Sequence, residues 1–347
     1  MTLTAPFPYF GGKRRAAAEI WRRFGSPRNY VEPFAGSCAV LLGRPHPSPK
    51  NIETVNDADG LLANVWRAMA WRPDEVIKHA DWPVNEADLH ARHLWLIGQR
   101  EAITDQLIAD PEWCDPRAAG WWIWGACAWI GRDWCSGNGP WVLHDGALVR
   151  RDEVGDAGRG INRQLPSIGG GKGTPYYGNG INRQIPHLSG SKSTPRYGTG
   201  VHALTAPSVA AHLCPIAERM RRVRVACGDW SRVITPSVTY AHGLTGVLLD
   251  PPYDGGNVDY AAGGRGVAAD VRAWCLDNGE NPLLRIALCG YEGDHDEIES
   301  HGWQAWEWKA NGGYGSQGDG DGRENAARER VWFSPHCLRT GEQVGLF

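Results

Sequence analysis

Short apolar runs bounded by turn residues recur near both ends of the chain. From Tyr30 to Val65 the pattern reads as a strand, a glycine-containing turn, a helix, a second short strand at Asn51–Asn56 and another helix. That succession opens a doubly wound α/β sheet. Arg222–Cys227, Thr245–Leu249 and Leu284–Cys289 read as further buried strands, and Arg330–Phe333 as a last one. The sheet is therefore expected to draw its strands from both ends of the chain. Between them, from Trp66 to Cys214, the texture turns helical and Trp-rich, then Gly-rich with little periodicity. The expected organisation is a discontinuous sheet domain of residues 1–65 and 215–347, with residues 66–214 inserted.

Composition narrows the classes. A chain of 347 residues with 42% hydrophobic positions can bury a large core. A formal net charge of -3 excludes a protein that coats nucleic acid through bulk electrostatics, so any such contact requires a local basic patch. Nine cysteines stand singly, without a Cys-x-x-Cys pair or a histidine cluster, which argues against a zinc site and a disulfide framework. The opening MTLTAPFPYFGGKRR lacks a signal-peptide core, and the nearly apolar run Ala118–Gly131 is too short for a bilayer. A soluble, cytoplasmic protein without a membrane partner is expected.

Three places carry candidate chemistry. Val31–Val40 (VEPFAGSCAV) sets a strand against Gly36, where backbone can approach a ligand; tight packing of the following helix accounts for that glycine equally well. About 20 residues on, Asp57 ends the second strand with a carboxylate, suited either to a ribose hydroxyl pair or to capping a helix. Sharper is Leu248-Leu249-Asp250-Pro251-Pro252-Tyr253: apolar strand residues run into an acid and two prolines that stop the strand at the carboxyl edge of the sheet. An amine on an aromatic base is a poor nucleophile because its lone pair is delocalised. The Asp250 carboxylate and the Pro251 carbonyl can accept its hydrogens, with Tyr253 stacking on a base taken out of the duplex. A plain turn remains the alternative for the isolated tetrapeptide.

Taken together, these residues resemble the DNA adenine methylase (Dam-like, D12 class) family of N6-adenine-specific DNA methyltransferases. Pro8-Tyr9-Phe10-Gly11-Gly12-Lys13 is similar to that family's amino-terminal cofactor motif, and Glu32-Pro33-Phe34-Ala35-Gly36-Ser37 to its glycine motif. Asn56-Asp57 is similar to its ribose-binding acidic position, and Cys227-Gly228-Asp229-Trp230 to its adenine-amine contact, where Phe or Tyr is commoner than Trp230. Asp250 to Tyr253 resembles its catalytic motif. The resemblance covers the two sheet-forming ends, about half the chain. It implies a Rossmann-like class I S-adenosylmethionine-dependent sheet with one reversed strand and an inserted target-recognition domain. It implies S-adenosylmethionine held by Tyr9, Gly12, Lys13, Glu32, Pro33, Phe34, Ala35, Gly36, Ser37, Asp57, Asp229 and Trp230. Chemistry on the target amine falls to Asp250, Pro251, Pro252 and Tyr253, and DNA is the implied partner, with a cognate restriction nuclease as a further one. An acid at position 250 is the form associated with adenine; Ser is commoner in the cytosine-amine branch. Two alternatives stay open: N4-cytosine methylation, and a sequence-specific DNA-binding protein of this fold that has lost turnover.

The insertion departs from the family pattern. Residues 160–179 and 180–199 form a tandem repeat matching at 12 of 20 positions, and from Ala157 to Gly200 there are basic residues but no acids. Arg159, Arg163, Lys172, Arg183, Lys192 and Arg196 can follow phosphates, and the Arg163-Gln164 and Arg183-Gln184 pairs suit guanine and adenine edges. Equally open is a structural arm packing Ile161, Leu165, Ile181, Ile185 and Leu188 on the core. Lys172 in GGGKGT does not make a phosphate loop, because Gly173 takes the Ser/Thr place. Trp121, Trp122, Trp124, Trp129 and Trp134 have the spacing of a buried helix rather than of a base-stacking surface. Asn311–Gly322 has the glycine content of a mobile surface loop.

Overall fold

The computed structural model describes residues 3–9, 11–129, 134–135, 208–253, 266–308 and 328–339, and the backbone of two strands at 141–144 and 147–150. Phe10, the tandem repeat with its basic residues, and the Asn311–Gly322 tract lie outside the described residues.

Seven strands form one sheet. They are β1 (Asn29–Glu32), β2 (Ile52–Asp57), β5 (Arg224–Cys227), β6 (Thr245–Leu249), β7 (Leu284–Tyr291), β8 (Gln304–Glu307) and β9 (Glu329–Phe333), in the spatial order β5-β2-β1-β6-β7-β9-β8. β3 (Trp141–His144) and β4 (Ala147–Arg150) make a separate antiparallel ribbon that the sequence pattern did not announce. The pairs β5–β2, β2–β1, β1–β6 and β6–β7 are parallel, whereas β9 runs antiparallel to both β7 and β8. The expectation of a sheet assembled from both ends of the chain, with one reversed strand, is met. Every residue of β6 is buried, as befits a central parallel strand covered on both faces. Alternation divides the faces: Leu248, Ala287 and Cys289 join one core, while Val247, Leu249, Ile286 and Leu288 join the other with Trp332.

The larger core is helical. It takes in α1 (Ala17–Phe24), the single turn α2 (Ala39–Leu42), α3 (Gly60–Trp71), α4 (Pro73–Ala80), α5 (Glu86–Ala109), α6 (Pro116–Ala128) and α7 (Val209–Met220); α8 (Val267–Asn278) packs on the opposite face. Asp59, Asn85, Asp115 and Ser208 cap α3, α5, α6 and α7 with side-chain bonds to backbone N–H groups. α3 is buried from Gly60 to Ala70, the mark of a helix enclosed on all sides. It packs against β2 and β5 and also against α5, α6 and α7, so the Trp-rich helices share one core with the sheet. Trp124 is fully buried and donates through Nε1 to Trp82 O at 2.8 Å; Trp122 is buried, and Trp121, Trp129 and Trp134 pack at the margins. No helix among the described residues is long and apolar enough to cross a membrane.

Candidate active site

Strand order reverses between β1 and β6: the chain runs outward from β1 through β2 to β5, and outward the other way from β6 to β7. Crossovers leave the sheet on opposite faces at such a point and open a crevice at the carboxyl ends of the two central strands. Glu32 and Leu249 end those strands, so the turn after Glu32 and Asp250-Pro251-Pro252-Tyr253 stand side by side.

On the β1 side, three loops are tied together by hydrogen bonds. Ala35 N donates to Asn56 O at 2.9 Å, Gly228 N to Asp57 O at 3.0 Å, and Asn56 Nδ2 to both Pro33 O (3.0 Å) and Gly228 O (2.9 Å). The motifs at 32–37, 56–57 and 227–230 thus form one hydrogen-bonded unit. Gly36 N donates to Asp57 Oδ2 at 2.9 Å and Asp59 N to Asp57 Oδ1 at 2.9 Å. Asp57 therefore sits at the strand end as an acceptor, and the cap of α3 is Asp59. Gly36 has φ +47°, and a Cβ there would lie 2.7 Å from Cε1 of Tyr9, so the aromatic ring closes directly over bare backbone. Gly12 N donates to Tyr9 O at 3.2 Å, and Oγ of buried Ser37 would lie 3.6 Å from a Cβ at Gly12. Phe34 and Trp230 face each other at 6.1 Å with an interplanar angle of 25°, and Asp229 is exposed beside them, accepting from Ser231 N.

Burial raises two carboxyls here. Asp57 is pushed up to about 7, its burial and the neighbouring Asp59 charge outweighing the bonds from Asp59 N–H and Gly36 N–H. Glu32 is pushed up to about 8 by burial, against the bond it accepts from Tyr30 hydroxyl at 3.0 Å.

On the β6 side lies a second cluster. Lys13 Nζ stands 2.9 Å from Asp250 Oδ2 and 3.7 Å from Glu329 Oε2, and donates to Gly11 O at 2.8 Å. Tyr253 hydroxyl lies 3.0 Å from Asp250 Oδ1 and 3.2 Å from Glu329 Oε2. The Tyr253 ring meets Tyr291 edge-on at 4.5 Å, and Lys13 Nζ lies 5.3 Å from its centre. Burial pulls the Lys13 ammonium down, but Asp250 and Glu329 outweigh it and hold its pKa above the usual lysine value. Tyr253 is raised well above an ordinary phenol by burial and then by the Asp250 charge.

The structure thus gathers the predicted residues into two adjoining halves, with Lys13 joined to Asp250. Glu329, Tyr291 and the clamp made by Asn56 were not singled out from sequence. Glu329 opens an apolar strand between Arg328 and Arg330, where a charged residue reads as solvent-facing; only the reversed direction of β9 and the register Tyr291↔Glu329 carry it to the carboxyl edge. Arg159, Arg163, Gln164, Lys172, Arg183, Gln184, Lys192 and Arg196 lie outside the described residues. Among the described residues no group of three or more His, Cys, Asp or Glu is arranged to hold a metal ion.

Residues 9–93 match the family model of D12 class N6 adenine-specific DNA methyltransferase. A D12 class domain is thereby detected over a span that includes Lys13, Gly36 and Asp57; Asp229 and Asp250 lie beyond it. The family so matched is one of enzymes that methylate adenine in DNA. No curated protein matches the chain.

Proposed function

We propose that the protein transfers a methyl group from S-adenosylmethionine to the exocyclic N6 amine of adenine in DNA. The observation that carries this reading is the junction of Lys13, inside the matched span, with Asp250 of the Asp-Pro-Pro-Tyr turn, at the crevice beside Gly36. A seven-stranded sheet with its single reversed strand second from the edge supports a Rossmann-like class I assignment. In this reading residues 1–65 and 215–347 are the catalytic unit, and 66–214 the insertion joined to it through α3.

The β1 half fits the cofactor. Bare backbone at Gly36 under Tyr9, an acceptor at Asp57, the facing rings of Phe34 and Trp230, and the exposed acid Asp229 match a chain of amino acid, ribose and purine. When bound, S-adenosylmethionine supplies an electrophilic sulfonium methyl. Asp250 and the Pro251 carbonyl accept the two amine hydrogens of a base extruded from the duplex, which favours a tetrahedral nitrogen with its lone pair aimed at that methyl. Tyr253 offers the base a π surface and is itself fixed by its hydroxyl and by Tyr291. After transfer the amine loses one proton to water. No covalent enzyme intermediate is required.

Incubating the protein with labelled S-adenosylmethionine and DNA tests the reading. Label should appear as N6-methyladenine, and Asp250→Ala should lower the rate by roughly a hundredfold or more while S-adenosylmethionine binding persists. Label in N4-methylcytosine would redirect the assignment, and no label on any DNA would favour an idle DNA-binding protein of the same fold.

A further inference from the structure

Both oxygens of Asp250 are engaged: Oδ2 faces the Lys13 ammonium at 2.9 Å, and Oδ1 lies 3.0 Å from Tyr253 hydroxyl. A target amine needs one of them. Glu329 Oε2 stands 3.2 Å from the same hydroxyl and 3.7 Å from the same ammonium, so small side-chain movements exchange one carboxylate for the other. A phenol has one proton to donate, and the two acceptors compete for it. Glu329 is held in the sheet by its pairing with Tyr291, and its carbonyl accepts from Trp308 N at 3.4 Å, whereas Asp250 lies just past a strand end.

We propose that Glu329 is a positioning residue, an alternative acceptor that takes Tyr253 hydroxyl and shares the Lys13 ammonium when the target amine engages Asp250. This rests on the methyltransferase reading above. Charge gives the arrangement a second effect. One ammonium between two carboxylates leaves one net negative charge beside a nitrogen that becomes cationic on methylation, before its proton departs. In a buried site that charge acts at short range and low dielectric. The groups facing Glu329 are Lys13 from the amino-terminal segment, Asp250 and Tyr253 from the turn after β6, and Cys289 and Tyr291 from β7. Burial raises the Glu329 carboxyl, with Lys13 opposing and Asp250 adding.

The test compares the full chain with Glu329→Gln, which keeps the shape and an acceptor oxygen but removes the charge. Single-turnover transfer from a preformed complex with S-adenosylmethionine and DNA should slow roughly tenfold to a hundredfold, the worth of one hydrogen bond to a charged group. Affinities for both ligands and the melting temperature should hold. A second readout needs no turnover. In protein carrying 13C-labelled glutamate carboxyls, the resonance absent from Glu329→Gln identifies Glu329; its titration midpoint should fall in Asp250→Asn and rise in Lys13→Met. Wild-type transfer left unaltered by Glu329→Gln, or a Glu329 midpoint indifferent to both neighbours, overturns the inference alone. No transfer by the wild-type protein overturns the methyltransferase reading and this inference with it.

Discussion

Asp57 ends β2 with both carboxylate oxygens turned on backbone N–H groups, Gly36 on one and Asp59 on the other. Burial nevertheless raises it to about 7. A ribose diol donates hydrogen bonds best to the ionised acid, so S-adenosylmethionine affinity should climb as pH rises through about 7 and level off above it. Calorimetric titration between pH 5.5 and 8.5 checks this; Asp57→Asn should bind more weakly and lose the slope, and a flat wild-type profile would remove Asp57 from the ribose contact. The stability linkage has the opposite sense. The folded value lies above that of an unfolded aspartate, about 3.9, so the folded chain holds this proton more tightly. The stability it contributes is complete below that lower value and is lost as pH rises through the higher one. What sequence made legible at this scale was residues with a motif around them: Lys13, Gly36, Asp57 and Asp250 all meet at the crevice. The bond from Asn56 to Gly228 and the place of Glu329 stayed hidden because they arise from contacts across more than 70 residues of chain, 172 between Asn56 and Gly228 and 76 between Tyr253 and Glu329.

At the scale of elements, Glu53 on β2 is the fastening point. Its Oε1 accepts from Arg44 Nη1 at 2.9 Å and from Arg219 Nη2 at 2.7 Å, and its Oε2 from Arg219 Nη1 at 2.6 Å. Arg219 belongs to α7 and Arg44 follows α2, so one buried carboxylate holds a strand, a loop and a helix, with 166 residues between Glu53 and Arg219. Removing one partner of a buried ion pair leaves the others charged and without compensation, at a cost of about 3–5 kcal/mol. Glu53→Gln should lower the urea-unfolding free energy by an amount in that range; a loss below about 1 kcal/mol would show that the two guanidinium groups find other acceptors. Strand legibility followed apolar runs rather than burial: Arg222–Cys227, expected as a buried strand, forms the edge strand β5 with only Cys227 buried. β6, enclosed on both faces, coincides with the apolar run Thr245–Leu249, while β8 alternates half-buried and exposed positions at the sheet edge and gave no comparable run. α3 crosses the expected boundary at residues 65 and 66 because a helix buried all round has no polar face to mark where one core ends and another begins.

For the whole molecule the proposed function raises the electrostatic question of how a chain of net charge -3 would hold a polyanion. The carboxyl edge of the sheet makes the question sharper, since Asp229, Asp250 and Glu329 gather there beside Glu32 and Asp57, whose charge burial holds back at neutral pH, and Lys13 is engaged with two of them. Such an edge suits a cationic cofactor and a nitrogen that becomes positive, and it repels phosphates. In the proposed reading DNA contact falls to basic residues elsewhere, and the stretch from Ala157 to Gly200, with Arg159, Arg163, Lys172, Arg183, Lys192 and Arg196, lies in the longest acid-free run of the sequence. Each phosphate contact contributes about 0.9 to the slope of log affinity against log salt. Neutralising all six residues should flatten that slope by up to about 5 and weaken DNA binding at low salt, while S-adenosylmethionine affinity stays as in the wild type. Anisotropy titrations across a salt series measure both quantities on one sample. An unchanged slope would assign the repeat to packing, through Ile161, Leu165, Ile181, Ile185 and Leu188, and would send the search for the phosphate-binding surface to the arginines of the helical layer.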